Sequence, residues 1–242
     1  GRAERETALP DRVRHRPDDT YGGQVQPFGA VTFGLYGLHM TRILLISGST
    51  HDGSVQNAAL RTAARAELDD ITLIRYEGLR DLPPFVPGEP HPPEPVRRLR
   101  AEVAAADALV FCTPEYAGSL PGTLKNLLDW LVAGGELGRK PATWLSVSPP
   151  GQDDGARDSL ESALGHGNAK VLKACCVRVP VGLSAVDDQG LIDDPQLNMA
   201  LLDMLHSVAR VLSFPEPKDR PSWHTYSSVL PVIQRRGYGR RG

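Results

Sequence analysis

Ile43-Leu44-Leu45-Ile46-Ser47-Gly48-Ser49-Thr50-His51-Asp52-Gly53-Ser54 decides how this chain folds. Four consecutive aliphatic residues without polar alternation suit a strand covered on both faces. The glycine- and hydroxyl-rich stretch after them suits a turn from that strand into a helix. The pattern recurs downstream. Apolar runs of strand length stand at 42–47, 71–76, 108–112, 143–148 and 171–181, and helical spacing fills about 54–68, 95–106, 120–133, 156–166 and 196–212. Strands alternating with helices through right-handed crossovers predict an α/β fold, a three-layer doubly wound parallel sheet with helices on both faces. Ligands of such folds bind at the carboxyl ends of the strands, so the loops after strands one, three and four should carry the chemistry.

The chain has 242 residues, enough for one large or two small domains, and a formal net charge of −2. No overall basic field exists to favour nucleic acid or an anionic membrane, and a small-molecule ligand is the better expectation. No apolar run approaches the ~20 residues of a membrane span, and the N-terminus lacks a basic-then-apolar signal pattern, so the cytoplasm is the expected compartment. Cys112, Cys175 and Cys176 sit in apolar runs without metal-ligand or CxxC spacing, and read as reduced core residues with no metal site.

Residues 1–40 are rich in Arg, Asp, Pro and Gly and show no sustained period, which reads as an extension and not as a domain. Met40 directly before the first strand would make a natural start of translation, while an ordered N-terminal arm is the other reading. The folded domain is expected over 41–212, and residues 213–242, with four prolines and a basic glycine-containing end, are expected to be irregular.

The loop after the first strand can aim backbone N–H groups at an anion. The following helix N-terminus adds its unpaired donors and partial positive charge, and Ser49, Thr50 and Ser54 add hydroxyls. A terminal phosphate monoester fits such a loop. Dinucleotide and triphosphate sites fit less well, since GxGxxG spacing is absent and no lysine precedes Ser54. The plain alternative is a strand-to-helix turn in which Ser54 only caps the helix. His51 reads equally as a surface side chain or as a phosphate donor.

After the third strand comes Thr113-Pro114-Glu115-Tyr116-Ala117-Gly118-Ser119-Leu120-Pro121-Gly122-Thr123-Leu124-Lys125-Asn126-Leu127-Leu128-Asp129-Trp130. Pro114 holds the turn, Gly118 lets the backbone approach a ligand, and Ser119 and Pro121 fit the start of a helix. A flat heteroaromatic ring with amide-like edges needs backbone donors and an aromatic side wall, which Tyr116 can supply. Packing of Tyr116 on its own domain is the equal alternative.

These two loops resemble the signature of the NADPH-dependent FMN reductase family. Its first pattern runs roughly G-S-x-R-x-x-S-x-N and its second P-E-Y-N-x-S-x-P-G-x-L-K-N-x-x-D-W. In the second, Pro114, Glu115, Tyr116, Ser119, Pro121, Gly122, Leu124, Lys125, Asn126, Asp129 and Trp130 fall in place, and Ala117 replaces the usual Asn. In the first, Gly48, Ser49 and Ser54 agree, whereas His51 stands for the usual Arg and Gln56 for the frequent Asn, with Asn57 next to it. The likeness runs from about Arg42 to Leu212.

The resemblance implies a flavodoxin-like five-stranded sheet in the order 2-1-3-4-5. It implies FMN as cofactor and NADPH as reductant, with electrons passed on to a small acceptor such as a quinone, flavin, azo dye or metal oxyanion such as chromate. Carried over, Ser49, His51, Ser54 and Gln56 face the FMN phosphate, and Pro114, Glu115, Tyr116, Ala117 and Ser119 frame the isoalloxazine. Ser148 and Gly151, in the turn after the fourth strand, are further contacts, or else mark a simple strand-ending turn. Flavin N5 would be the reactive centre, with no catalytic acid or base demanded of the protein. The family's third helix contributes to a subunit interface, which would account for Trp130 and implies a homodimer or homotetramer. A flavodoxin-like electron carrier or redox-responsive binding protein without nicotinamide turnover is the alternative function.

Two stretches stay open. Residues 82–95 hold seven prolines, and form either a wall of the substrate site or a stiff connector. Residues 186–195 carry four carboxylates but lack Asp-x-Asp-x-Gly spacing, and read as a solvated turn before the last helix.

Overall fold

The computed structural model describes residues 40–214. The expectations for the extension and for nearly all of the tail fall outside them. In chain order the elements are β1 (Thr41–Ser47), α1 (Val55–Ala64), β2 (Ile71–Arg75), α2 (Glu94–Ala105), β3 (Ala108–Cys112), α3 (Gly122–Gly134), β4 (Pro141–Ser146), α4 (Asp154–His166), β5 (Lys170–Val171), β6 (Val177–Arg178) and α5 (Pro195–Ser213). The sheet is parallel throughout and runs β2-β1-β3-β4-β5, with β6 also paired to β4. This is the flavodoxin-like order.

Alternation along β1 explains the three layers, because successive strand side chains point to opposite faces. Leu44 and Ile46 join Leu109 and Phe111 of β3 in a core against α2, α3 and α4. Ile43 and Leu45 join Val110 and Cys112 in the opposite core, against α1 and α5. Since both faces are covered, β3 is buried at all five positions, and its unbroken apolar run follows.

The helices end where local chemistry ends them. Ser54 caps α1 by accepting from the Asn57 N–H at 3.2 Å. α3 stops at Gly135, whose left-handed φ of 82° returns its N–H to Leu131 O. α5 starts with Asp194 as cap, accepting from Gln196 N–H and Leu197 N–H, and with Pro195 in its first turn. Asp187 likewise closes its own turn through Gln189 N–H and Leu191 N–H. Two of the four carboxylates of 186–195 thus serve the backbone.

The fifth strand departs from the expected continuous 171–181. It is two residue pairs separated by a 3-10 turn at Lys173–Cys175. An edge strand has one ladder to satisfy, so it can leave the sheet and return. Here the excursion drops Cys175 into the α5-side core while Leu172 N–H, Val179 N–H and Val181 N–H still bond the β4 side.

Candidate functional site

Three loops meet at the carboxyl edge of the sheet, and close backbone approaches hold them together. Gly48 N–H bonds Cys112 O at 2.8 Å, so the β1 loop starts flush against the end of β3. A Cβ on Gly48 would lie 2.1 Å from Thr113 Oγ1 and 2.6 Å from Thr113 Cβ. Only glycine fits there. On the other side, a Cβ on Gly155 would lie 2.2 Å from Gly118 O, so the start of α4 is pressed equally tightly onto the β3 loop.

The β1 loop, residues 47–54, is stabilised from within. Ser49 is buried, its N–H bonds Ser47 Oγ at 3.1 Å, and its own Oγ accepts the His51 N–H at 3.2 Å. Asn57 is the amide that fixes the loop: its Nδ2 donates to His51 O at 2.7 Å and to Ser49 O at 3.3 Å. Sequence reasoning noted Asn57 but favoured Gln56. The signal that separates them is position, because Asn57 is three residues beyond the cap and faces back over the loop. Ser54 is both cap and candidate donor, since its oxygen accepts from Asn57 while its hydroxyl hydrogen remains to be given. His51 is exposed at the loop crest. Val55 and Gln56 open α1, where backbone N–H groups have no intrahelical acceptor.

The β3 loop carries a two-residue turn of the kind that closes hairpins. Tyr116 and Ser119 exchange backbone hydrogen bonds at 3.0 and 3.1 Å, and Ala117 and Gly118 both have positive φ, 51° and 74°. This explains why Asn is the usual residue at the position of Ala117: it tolerates left-handed backbone better than alanine does. The turn holds Tyr116 outward, 54% exposed. Glu115 and Ser119 reach instead toward α4, Glu115 Oε2 accepting the Ala156 N–H at 3.0 Å and Ser119 Oγ meeting Ser159 Oγ at 2.9 Å. These two candidate ring contacts therefore also brace the loop. Pro114 lies between Thr113, whose Oγ1 bonds Pro114 O, and Glu115.

The third loop, residues 147–153, holds Ser148 and Gly151, the latter left-handed at φ 84° with open space where a Cβ would stand. Its anchor is Asp153, buried and bonded to Ser146 Oγ and, at 2.8 Å, to Arg178 Nη2. Asp154 pairs with both Arg178 and Arg157, and the hydrogen bond from Arg178, followed by that from Arg157, holds its carboxyl below the usual range. Arg157 stacks over Trp144 at 4.9 Å. Sequence reasoning missed this network because Asp153 and Arg178 are 25 residues apart and share no motif. Burial, with the Asp153 charge second, pushes the Cys112 thiol well above its ordinary value and keeps it protonated.

The proline-rich segment is latched to α3. Asn126 Oδ1 accepts the Phe85 N–H at 2.7 Å, Asn126 Nδ2 donates to Pro83 O at 2.9 Å, and Trp130 Nε1 donates to the same carbonyl at 2.9 Å. Phe85 and Trp130 rings meet edge to face at 5.0 Å. Trp130 is thus 2% exposed and used inside the domain, which corrects the expectation that a subunit interface accounts for it. Lys125 and Asp129 pair with each other on the exposed face of the same helix.

A doubly wound α/β domain with its polar loops gathered at the carboxyl edge is the class that this fold and site define. The family model for NADPH-dependent FMN reductases matches residues 41–182, and the chain belongs to that family. Relatives include an NAD(P)H-dependent FMN reductase of Pseudomonas aeruginosa, 39% identical over 44% of this chain and 60% of its own length. An NADPH azoreductase of a Bacillus strain is 32% identical over 49% and 62%, and a quinone reductase of Escherichia coli K12 is 31% identical over 37% and 50%. The chain therefore matches between 50% and 62% of the length of these curated relatives. Among solved structures, a flavoenzyme NAD(P)H:(acceptor) oxidoreductase from Paracoccus denitrificans superposes with a TM-score of 0.57 at 22% identity, covering 70% of this chain and 98% of that one. That likeness concerns the fold.

Proposed function

We propose that the protein is an FMN-dependent NAD(P)H oxidoreductase that passes electrons to a small acceptor of the quinone, flavin, azo or metal-oxyanion class. One observation carries the reading: a hydroxyl- and amide-rich helix N-terminus and a rigid turn presenting Tyr116 are locked side by side through Gly48 and Thr113. The residues present fit FMN. A phosphate dianion at the start of α1 would meet Val55 N–H, Gln56 N–H and the Ser54 hydroxyl, with Ser49 behind them and His51 at the crest. Backbone of the 113–119 loop and the open-sided Gly151 turn would frame the ring, with Pro114, Ala117 and Ser148 in the wall and Tyr116 at the mouth. Bound there, FMN would supply hydride acceptance and donation at N5. The protein's part is to hold, orient and expose one ring face.

Nicotinamide and acceptor would use the same exposed ring face in turn. Rates taken at several fixed acceptor concentrations should give parallel double-reciprocal lines, and intersecting lines would contradict the shared face. Cofactor choice tests the phosphate site: FMN should bind far more tightly than riboflavin, and Ser54→Ala should lose roughly ten- to a hundredfold in FMN affinity. Equal affinity for the two flavins would refute the assignment.

A homodimer or homotetramer belongs to this reading, supported by exposed Met199, Leu202 and Val211 on α5 and checked by light scattering. So does a cytoplasmic setting, supported by three free cysteines, two of them buried. Among the described residues no helix is long and apolar enough to cross a membrane.

A further inference from the structure

The β1 loop, residues 47–54, contains one side chain that can carry positive charge, His51, and it stands where the family pattern has arginine. A histidine on a loose surface loop would say little. Here the backbone of His51 is tied on both sides: Ser49 Oγ accepts its N–H at 3.2 Å, and its O accepts the Ser54 N–H at 3.0 Å and Asn57 Nδ2 at 2.7 Å. The ring itself is free. Neither ring nitrogen bonds a protein group among the described residues, and the side chain is exposed. Nε2 lies over Gly53, where an added Cβ would come within 3.2 Å of it, so the imidazole is turned back toward Ser54 and the start of α1.

The charges around this ring are largely matched. Asp52, the loop's one carboxylate, pairs with Arg80 of the 79–81 turn at 3.3 Å, and at the end of β2 Arg75 pairs with Glu77. From α1, Arg61 donates to Asp52 O at 2.8 Å. The variable charge beside the first turn of α1 is therefore that of His51. An arginine stays charged at any pH a protein meets, whereas an imidazole gives up its charge near neutrality.

We propose that His51 makes FMN retention pH-dependent: its protonated ring is a charged ligand of the cofactor phosphate, and that ligand is withdrawn as the pH rises through neutrality. The proposal rests on the FMN-dependent reductase reading above and goes beyond it by naming what sets cofactor loading. A phosphate dianion beside the ring favours imidazolium, and by linkage imidazolium favours the phosphate by the same factor. The contribution is whole where the free ring is protonated and is lost as pH rises through the titration of the complex. Backbone donors of α1 and the Ser54 hydroxyl hold FMN at every pH, so affinity changes by degree. One hydrogen bond between charged groups, at the low end because the ring is exposed, gives about tenfold.

The test dilutes the FMN-loaded full chain at constant ionic strength, with the fluorescence of released flavin giving the dissociation constant between pH 6.5 and 9, where the FMN phosphate is mostly a dianion. The parent should bind FMN about tenfold more weakly at pH 9 than at pH 6.5. His51→Gln should show the weaker affinity throughout, and His51→Arg the tighter one throughout. A parent whose affinity does not change with pH overturns the proposal, as does a His51→Gln protein that keeps the parent's pH dependence, since another group would then be titrating. Two observations separate this result from the reductase reading: preference for FMN over riboflavin, and bleaching of the bound flavin by NADPH. If both hold while affinity is flat with pH, the reductase stands and the role of His51 falls. If FMN and riboflavin bind alike, the phosphate site fails and the proposal fails with it.

Discussion

Gly48→Ala tests how the β1 and β3 loops are held together. The added methyl would stand 2.1 Å from Thr113 Oγ1, 2.6 Å from Thr113 Cβ and 2.9 Å from Leu124 Cδ2. Leu124 can yield at the end of its side chain, but Thr113 is β-branched and stiff at χ1, and its Cβ moves only with the backbone. The loops must separate. Overpacking of this kind costs about 1–3 kcal/mol, and the separation should weaken FMN binding as well. Urea unfolding and flavin titration measure both. Adding Thr113→Ala removes the nearest clash but not the Cβ contact, so the double variant should recover part of the loss, with a coupling of about 1 kcal/mol. A Gly48→Ala protein within about 0.5 kcal/mol of the parent and with unchanged FMN affinity would refute the contact as the lock.

Three further outcomes follow from the same contacts. Asn126→Ala strands the Phe85 N–H and removes one of two donors from Pro83 O, and should cost about 1–3 kcal/mol in urea unfolding. Ala117→Gly or Ala117→Asn relieves a left-handed φ of 51° and should raise stability by about 0.5–1 kcal/mol, read as an increased Tm. Acid should destabilise the fold through Asp154, held below its ordinary range by Arg178 and then Arg157, and through Glu161, lowered by the Trp144 indole N–H and then by Lys173. Both carboxyls bind protons more weakly when folded, so their contribution is present above the unfolded pKa, about 4, and is lost as pH falls through the folded values. Urea midpoints recorded against pH should show a flatter acid limb for Asp154→Asn.

Much of the fold could be read from the chain because its central strands are buried on both faces, and such strands write themselves as unbroken apolar runs. β3, Ala108–Cys112, is the clearest case. The edge was less legible. A strand with one neighbour can break for a turn that buries Cys175, and the apolar run over 171–181 looks the same either way. At the site, turn chemistry located the loops, since glycine and hydroxyl residues report what the backbone must do. Which side chain does what was harder to read, because partners lie far away in sequence. Asn126 looks like a motif residue with no stated task, and Trp130 like an interface residue, until Pro83 and Phe85 are folded over them. Asp153 and Arg178 carry no local signal at all. Asn57 outranks Gln56 only once the first turn of α1 shows which amide faces back over the loop.

The central claim is that this carboxyl edge holds a flavin that a nicotinamide can reduce. Anaerobic addition of NADPH to the purified FMN-loaded protein tests it most directly, with the visible absorbance of the flavin as readout. The absorbance should bleach at one equivalent of NADPH, more readily than with NADH, and a quinone should restore it. A flavin that binds at this site yet stays oxidised with both nicotinamides would contradict the account and leave an electron carrier in its place.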